Sequence, residues 1–130
     1  MFKKRKHDHI GLGTNDIEAT VKWYEDVLGF EEYGRCVAPD GTPCRFLTDG
    51  YLNYEIFQPV GGIDPAVAGK IDHLSFVSED IEADYAAALQ EGHRCTTGGI
   101  QEIPTAWKRG CRYFKIATAT GEEIEFCQIL

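Results

Sequence analysis

The sequence predicts an α+β fold composed of two βαβββ modules, and an internal repeat is the strongest reason. An Asp-His pair at positions 8–9 recurs at 72–73, and the segment DIEA at 16–19 recurs at 80–83, both at an offset of 64 residues. In each copy an alternating stretch typical of a strand leads into an apolar stripe at helical spacing. Two matched groups at one offset indicate an internal duplication, which places two histidines at equivalent positions.

Length and composition indicate one globular domain. The chain has 130 residues, of which 43% are hydrophobic and 26% are charged, and a chain of this size can bury a core of its own. No apolar run approaches the roughly 20 residues that span a bilayer, and no apolar signal segment follows Met1. The net charge of −8 argues against nucleic acid as a partner. Five cysteines without a C-x-x-C motif are expected to be reduced thiols, which predicts a cytoplasmic protein. Together, the charge and the lack of a long apolar run predict a protein that binds neither nucleic acid nor membranes.

The first module is predicted to occupy residues 8–60, after a basic N-terminal tail at 1–7 that is expected to be solvated. Residues 8–13 alternate between apolar and other residues, as a strand does. Asn15 is predicted to cap the following helix, with Glu18 completing a capping box. The apolar stripe of this helix consists of Ile17, Val21, Tyr24 and Leu28. Three strands are expected after it, near 31–37, 43–48 and 52–58.

A linker rich in Gly and Pro is predicted at 61–70, and the second module at 71–130. A strand at 71–77 and a helix at 79–91 repeat the order of elements in the first module. The remaining strands are expected near 94–97, 111–117 and 123–129. The stretch 98–110 is predicted to be a loop or an irregular strand, because it contains Pro and several Gly residues.

The last strand of each module carries a glutamate between apolar residues, and this pattern predicts a metal centre. Glu55 lies in the segment YEIF and Glu125 in IEF, where a carboxylate is costly to bury unless it is paired or bound to a cation. If the modules pack about a pseudo-twofold axis, His9 and His73 join them at one centre. Two imidazoles and two carboxylates suit a divalent ion such as Ni²⁺, Zn²⁺, Co²⁺, Mn²⁺ or Fe²⁺. The alternative is that the histidines are ordinary strand residues and the glutamates are surface charges.

The chain resembles the vicinal oxygen chelate superfamily, which includes glyoxalase I, methylmalonyl-CoA epimerase, extradiol dioxygenases and bleomycin-resistance proteins. The resemblance covers residues 8–129. It rests on the segments HIGL at 9–12, WYEDVLGF at 23–30, DHLSFV at 72–77 and GEEIEF at 121–126. It implies paired βαβββ modules that form a cup-shaped mixed sheet around one divalent metal, and it implies a homodimer.

The resemblance also implies roles for single residues. It carries the metal-ligand roles to His9, Glu55, His73 and Glu125, a set that looks like the bacterial glyoxalase I arrangement, often nickel-dependent. Dioxygenases of the superfamily need three ligands, which match all of these except Glu55. The chain departs from the family in three places. The segment TATG at 118–121 replaces the family's Asp-Pro-Asp-Gly turn, and Pro59 stands where glyoxalases usually have an Asn. Arg45 lies near the position of the epimerase's second catalytic glutamate.

The resemblance implies a metal-dependent lyase or isomerase of the glyoxalase I type. Such an enzyme moves a proton on the carbon next to a carbonyl, through an enediolate that the metal stabilises. Glu125 is expected to be the proton-transferring carboxylate, with Glu55 as the second acid. The alternatives are an epimerase of the methylmalonyl-CoA type, a metal-free protein that binds a small molecule such as a drug, and an extradiol-type dioxygenase.

The expected substrate is a small carbonyl compound or a thioester, and an anionic one needs local positive charge in this acidic protein. The candidate cations are Arg45, Lys108, Arg109, Arg112 and Lys115. Trp107 and Tyr113 are candidates for an aromatic wall. The alternative for each of them is a surface cation or a residue that anchors a loop.

Overall fold

The described residues of the computed structural model, 2–117 and 123–130, contain eight strands and two helices in the order of two βαβββ modules. The first module contains β1 (His7–Gly13), α1 (Ile17–Leu28), β2 (Glu31–Val37), β3 (Pro43–Thr48) and β4 (Asn53–Phe57). The second contains β5 (Ile71–Val77), α2 (Ile81–Gln90), β6 (Gln101–Ile103), β7 (Cys111–Ala117) and β8 (Glu123–Ile129). No helix in this part of the chain is both long enough and apolar enough to span a bilayer.

All strands belong to one curled mixed sheet with the order β2-β3-β4-β1-β5-β8-β7-β6. The first strands of the two modules, β1 and β5, are antiparallel neighbours at the centre. Each of them pairs in parallel with the last strand of its own module, β1 with β4 and β5 with β8. The predicted α+β fold of two modules is therefore confirmed, and the modules share one sheet.

The sheet has a helix-covered side and an inner side, and each strand divides its residues between them. Under α1 the core contains Leu12, Val21, Phe30, Leu47 and Ile56. Under α2 it contains Ile81, Ala88, Phe114, Ile116 and Phe126. The inner side has its own cluster of Cys36, Cys44, Phe46, Ile103, Ala106, Cys111 and Cys127. The inner face is therefore lined partly by small thiols, which leave room for a cavity.

The helix starts differ from the prediction, because the repeated aspartates cap both helices. Asp16 is the N-cap of α1 and accepts from Ala19 N, and Asp80 does the same for α2. Asn15, the predicted cap, instead exchanges two hydrogen bonds with the backbone of Ile63 in the linker. An aspartate at the N-cap also complements the positive end of the helix dipole, which a neutral Asn does not.

The predicted strand at 94–97 is wrong, and the strand lies instead at Gln101–Ile103. Only Cys95 bridges to Ile116 in that earlier stretch. Thr97 Oγ1 donates to the carbonyl of Gly99 and turns the chain, although the two β-branched threonines there resemble a strand in sequence. The predicted TATG turn at 118–121 lies outside the described residues.

The N-terminal segment is attached to the second module by two side chains. Arg5 donates to both carboxylate oxygens of Asp84, at 2.8 and 2.5 Å. Phe2 packs against Phe126 with ring centroids 4.4 Å apart. The solvated tail expected at 1–7 is thus anchored at these two points, and β1 begins inside it at His7.

Candidate metal centre

The two central strands bring two histidines face to face. His9 on β1 and His73 on β5 are both almost fully buried, and their Nε2 atoms are 3.1 Å apart. Because β1 and β5 are antiparallel neighbours, inward-facing residues from the two modules meet across one pair of strands. The two histidines of the sequence repeat therefore face each other in the structure.

The two glutamates approach these imidazoles from the strands on either side. Glu55 on β4 reaches within 3.6 Å of His9 Nε2 and 3.9 Å of His73 Nε2. Glu125 on β8 reaches within 3.5 and 3.7 Å of the same atoms. The structure thus brings together all four residues that the sequence proposed as metal ligands, and they all belong to one chain.

The donor geometry fits a single divalent ion. An ion about 2.0–2.2 Å from each donor atom holds neighbouring donors roughly 2.9–3.6 Å apart. The donor atoms of His9, His73 and Glu125 form a compact group, all within 4.8 Å of one another. Glu55 adds a fourth donor at slightly longer range. Imidazole nitrogens and carboxylate oxygens together suit Zn²⁺, Ni²⁺, Co²⁺, Mn²⁺ and Fe²⁺.

Each histidine is oriented by the aspartate that precedes it. Asp8 Oδ2 lies 2.5 Å from His9 Nδ1, and Asp72 Oδ2 lies 2.8 Å from His73 Nδ1. A carboxylate on Nδ1 leaves Nε2 as the nitrogen that faces the centre and makes the imidazole a better ligand. The sequence contained this signal as the repeated Asp-His pair, although we assigned no role to the aspartates there.

Gly11 provides the space that His73 occupies. A Cβ atom at position 11 would lie 2.2 Å from His73 Cε1 and 2.3 Å from its Nδ1. No side chain can be accommodated there without moving the ring, because real Cβ contacts are much longer than this. The glycine in the HIGL segment is therefore part of the site.

Electrostatics confirm that negative charge dominates at this centre. Burial disfavours the charged imidazolium of His9, but Asp8, Glu55 and Glu125 outweigh that effect and raise its pKa from 6.5 to about 9. Burial likewise opposes the charge of Lys115, yet the surrounding carboxylates, Glu125 first, raise its pKa above the ordinary value. The same excess of carboxylates that favours the protonated form of His9 is compatible with a bound cation.

A cavity of about 450 Å³ opens onto the centre from the inner side of the sheet. Its wall includes the acids Glu55, Asp72, Glu123 and Glu125, together with His73. Aromatic and cationic side chains complete the wall, among them Phe57, Tyr113 and Lys115. The cavity is large enough for a small substrate. Three of the four predicted ligands line it, and the fourth, His9, lines the small inner recess behind it.

The predicted substrate-binding residues are distributed over both sides of the sheet. Trp107 and Tyr113 line the small inner recess behind the ligands. Arg45 instead lies beside α1 and pairs with Glu18 and Glu32.

Arg112 on β7 pairs with Glu82 of α2 and with Glu102 of β6. Lys108 and Arg109 are exposed on the loop before β7. Successive residues of a strand face opposite sides of the sheet, so Tyr113 and Lys115 face the cavity while Arg112 does not. The sequence suggested five cations without deciding which strand face each one occupies, and Lys115 is the one on the cavity wall.

A paired βαβββ sheet with two histidines and two carboxylates at its centre is the arrangement of a known class of proteins. The family model described as "Glyoxalase/Bleomycin resistance protein/Dioxygenase superfamily" matches residues 8–111. The chain belongs to this superfamily, which confirms the resemblance seen in the sequence. The superfamily contains both enzymes and binding proteins, so the class alone does not fix an activity.

Three comparisons show what the chain is similar to. A protein of Bacillus subtilis (strain 168), described as uncharacterized protein YwbC, is 34% identical over 128 residues, covering 95% of this chain and 98% of that one. Hypothetical protein BH1468 from Bacillus halodurans C-125 has a similar structure, with a TM-score of 0.79, 23% identity, and coverage of 98% and 96%. Methylmalonyl-CoA epimerase from Mycobacterium tuberculosis also gives 0.79, with 19% identity and coverage of 95% and 87%. At identities of 23% and 19%, these two structural similarities show a shared fold and nothing about activity.

Proposed function

We propose that the protein is a divalent-metal-dependent lyase or isomerase of the glyoxalase I type, which moves a proton on the carbon next to a carbonyl. The observation that carries this proposal is the convergence of His9, Glu55, His73 and Glu125, with Nε2-to-oxygen distances of 3.5 to 3.9 Å. Three of the four residues, Glu55, His73 and Glu125, line a cavity of about 450 Å³. These four residues would hold a divalent ion, which would supply Lewis-acid chemistry to a substrate oxygen.

A divalent ion at this centre would act as a Lewis acid and stabilise negative charge on a substrate oxygen. The carboxylates of Glu125 and Glu55 are the groups placed to take the proton. When one of them accepts it, the C–H bond breaks and its electron pair moves toward the carbonyl, which gives an enediolate. Return of the proton to the neighbouring carbon, with transfer of the hydroxyl proton from one oxygen to the other, completes an isomerisation with no net gain or loss of atoms.

An epimerase of the methylmalonyl-CoA type is the second candidate. The chain shares its fold with structures of methylmalonyl-CoA epimerases, which supports this candidate. The same centre would serve it, because epimerisation also removes a proton next to a carbonyl. The proton would return to the same carbon from the opposite face, so the two reactions differ in where the proton is returned.

A three-ligand dioxygenase centre is the further alternative, and the compact group of His9, His73 and Glu125 favours it. Two histidines and one carboxylate with open positions suit Fe²⁺ and dioxygen. The approach of Glu55 to within 3.6 Å of His9 argues for a four-ligand centre instead. Dioxygen consumption by the Fe²⁺-loaded protein with a catechol would support the dioxygenase.

Metal analysis of the purified protein, followed by titration of the chelated form with Ni²⁺, Zn²⁺ and Co²⁺, tests the centre. We expect close to one ion per chain, and loss of that ion in His73→Ala. His93→Ala is the matched control, because His93 is on the surface beside Glu91 and away from the centre. Absence of metal binding by the wild type would overturn every metal-dependent reading and favour a small-molecule binding protein.

Activity then separates the reactions. The metal-loaded protein is assayed with methylglyoxal thiohemiacetals and, separately, with methylmalonyl-CoA epimers in deuterated water. Conversion of the thiohemiacetal supports the lyase proposal. Deuterium incorporation into the thioester without isomerisation of the thiohemiacetal would favour the epimerase.

A further inference from the structure

Four of the five cysteines lie in the cluster on the inner side of the sheet, where they form two pairs. Cys36 on β2 and Cys44 on β3 form the first pair. Cys111 on β7 and Cys127 on β8 form the second. All four side chains are buried, and their thiols are free. The proposed metal centre uses none of these thiols.

The two pairs differ in how their strands are aligned. Cys36 and Cys44 are direct register partners on antiparallel strands, and such partners have Cα atoms about 4.5 or 5.5 Å apart. Cys127 is the partner of Tyr113, so Cys111 lies diagonally from it, and diagonal neighbours are about 7–8 Å apart. A disulfide needs a Cα separation of about 4.4–6.8 Å. The first pair therefore meets this requirement without movement of the backbone, and the second pair does not.

Proximity of the thiols is common to both pairs and does not distinguish them. A hydrogen bond with Cys36 and then burial raise the pKa of the Cys44 thiol, and a hydrogen bond with Cys111 and then burial raise that of Cys127. Cys44 and Cys127 therefore hold their protons at neutral pH, which slows their reaction with oxidants because the thiolate is the reactive form. Access of an oxidant is then the second feature that decides which pair reacts.

Access also differs between the pairs. Cys44 lines the cavity of about 450 Å³ that opens onto the metal centre, and Cys36 and Cys44 both line a second cavity of about 380 Å³ beside the start of α1. Cys111 and Cys127 are absent from the described residues that line these two cavities. They line the inner recess, whose volume of about 10 Å³ holds at most about one water molecule. A small oxidant in either cavity therefore meets the first pair.

We propose that Cys36 and Cys44 are a site of oxidative modification, at which a hydroperoxide converts the two thiols to an intrachain disulfide. One sulfur first takes an oxygen atom as the O–O bond of the peroxide breaks, which gives a sulfenic acid and releases water or an alcohol. The second thiol then displaces that oxygen as water and forms the S–S bond. The two thiols lose two hydrogen atoms in total, and the peroxide is reduced.

The turn between the two cysteines forms part of the cavity wall. Ala38, Pro39, Asp40 and Thr42 line the cavity that opens onto the metal centre. Two backbone hydrogen bonds hold this turn, from Ala38 N to Thr42 O at 2.8 Å and from Gly41 N to Ala38 O at 2.9 Å. A disulfide at its base would restrain it further, because a covalent link removes conformations in which the two strands separate. Oxidation would thus act on one wall of the cavity, whichever reaction the cavity serves.

The experiment treats the full chain with hydrogen peroxide, in the presence of a chelator that excludes metal-catalysed oxidation. Remaining thiols are alkylated, and disulfides are mapped by mass spectrometry of unreduced peptides. We expect a link between Cys36 and Cys44, with a loss of two hydrogens in mass, to form about tenfold or more faster than any link between Cys111 and Cys127. Dithiothreitol should restore both thiols. Cys95→Ser is tested beside the wild type, because Cys95 is only partly buried and can react alone.

Variants and hydrogen exchange sharpen the test. Cys44→Ser should abolish the link, and Cys127→Ser, the matched control from the other pair, should leave its rate unchanged. In the oxidised wild type, amide hydrogen exchange at 38–42 should slow, while exchange in β7 and β8 stays as in the reduced protein. Unchanged exchange at 38–42 in the linked protein would contradict the effect on the cavity wall.

Three results on the wild type would overturn the proposed site. The first is a link between Cys111 and Cys127 that forms as fast as the expected one. The second is oxidation of Cys36 or Cys44 to a sulfinic acid in place of a disulfide. The third is a folded protein in which both thiols stay unreacted. Because these results need no variant, poor folding of Cys44→Ser does not affect the test.

Discussion

Glu125 in the second module has a hydrogen-bond partner that Glu55 in the first module lacks. Ser75 is fully buried, and its hydroxyl donates to Glu125 Oε1 at 2.8 Å. The register of the parallel strands places Ser75 beside Glu125 and Gly11 beside Glu55. Position 11 has no hydroxyl, because His73 occupies the space where a side chain would stand.

The cross-strand neighbours of the two glutamates differ as well. Lys115 is the register partner of Glu125, whereas Phe46 is that of Glu55. Phe46 is buried against Trp107, with ring centroids 4.9 Å apart. One carboxylate therefore has a hydroxyl and a cation beside it, and the other has an aromatic surface. Equivalent positions in this duplicated fold thus give their carboxylates different chemical surroundings.

The supporting framework is by contrast nearly the same in the two modules. Gln58, directly after β4, accepts from the backbone N–H of Ile17, and Gln128 on β8 accepts from that of Ile81, so a glutamine at the end of each module's last strand helps to cap its helix. The strand arginines, Arg45 and Arg112, both pair with a glutamate in the first turn of a helix. The contacts that hold the helices against the sheet are thus similar in the two modules, whereas the residues around the candidate metal ligands differ.

Replacing Gly11 by the serine found at the equivalent position of the second module should have the largest effect on metal affinity. Gly11→Ser gives the first module the residue that the second has at position 75, but its Cβ would meet the ring of His73. We expect metal affinity to fall by about 100-fold or more, since displacing a ligand exceeds the 10–100-fold effect of changing an outer partner. Competition with a coloured chelator measures the change.

Gly34→Ala is the matched control for this exchange. A Cβ atom there would meet its nearest neighbours at 3.9 and 4.0 Å, which is ordinary contact. Metal affinity should be unchanged. An unchanged affinity in Gly11→Ser as well would show that the ring of His73 can move without cost.

The two carboxylates should also respond unequally to loss of charge. Glu125→Gln should weaken metal binding about tenfold more than Glu55→Gln. Ser75 already holds the Glu125 side chain in position, so this carboxylate loses little conformational entropy when it binds an ion. Isothermal titration of each chelated variant gives the two affinities. Equal losses would mean that the hydroxyl contributes nothing to the difference between the modules.

Removing the hydroxyl itself should have a smaller effect. Ser75→Ala leaves a buried carboxylate without this donor, so the free energy of unfolding of the metal-free protein should fall by about 1–3 kcal/mol. Thr96→Val is the control, because the buried Thr96 Oγ1 has no hydrogen-bond partner among the described residues. Urea denaturation should show that this second change costs little, and a loss equal to that of Ser75→Ala would contradict the assignment.

The smallest expected effect lies outside the centre, in the first module. Burial opposes the ionisation of Glu32, but Arg35 and Arg45 outweigh it and lower its pKa below 4.5. Glu32 therefore contributes stability above that pH, and the contribution is lost as the pH falls through its lowered pKa. Glu32→Gln should cost less than about 1 kcal/mol at pH 7.

Denaturation of the metal-free protein at several pH values measures this contribution. The difference between wild type and Glu32→Gln should shrink as the pH falls below 4.5. Glu102→Gln is the control in the second module, because Glu102 pairs with Arg112 while 67% of its side chain is exposed. A difference that persisted into acid would show that Glu32 acts through packing.

The sequence predicted most element boundaries, because period and repeat are local signals. Strands β2, β3 and β5 begin and end where the alternation placed them. The misplaced strand at 94–97 shows the limit, since two threonines favour a strand until a hydroxyl bonds to the backbone and turns it. The cap at Asn15 was missed because Asn and Asp are both good caps, and the linker contact that holds Asn15 is not local.

The candidate ligands were also found from sequence, since they occur as a repeat, whereas their surroundings do not repeat. Ser75, Gly11 and Phe46 have no pattern that marks them, and their roles follow from strand register alone. Arg45 and Arg112 looked like substrate contacts because composition does not tell which side of a sheet a cation faces. The side of the sheet that a strand residue faces depends on the register of pairing between strands distant in sequence.

The pairing of β1 with β5 has a consequence for how the centre comes into being during synthesis. His9 is made early, and β4 follows soon after it, but the strand that carries His73 is made much later. Until then one edge of β1 has no neighbour. The last of the four donors, Glu125, arrives only with β8. A growing chain therefore cannot bring all four candidate donors together until synthesis has passed Glu125, so the complete set forms late in synthesis.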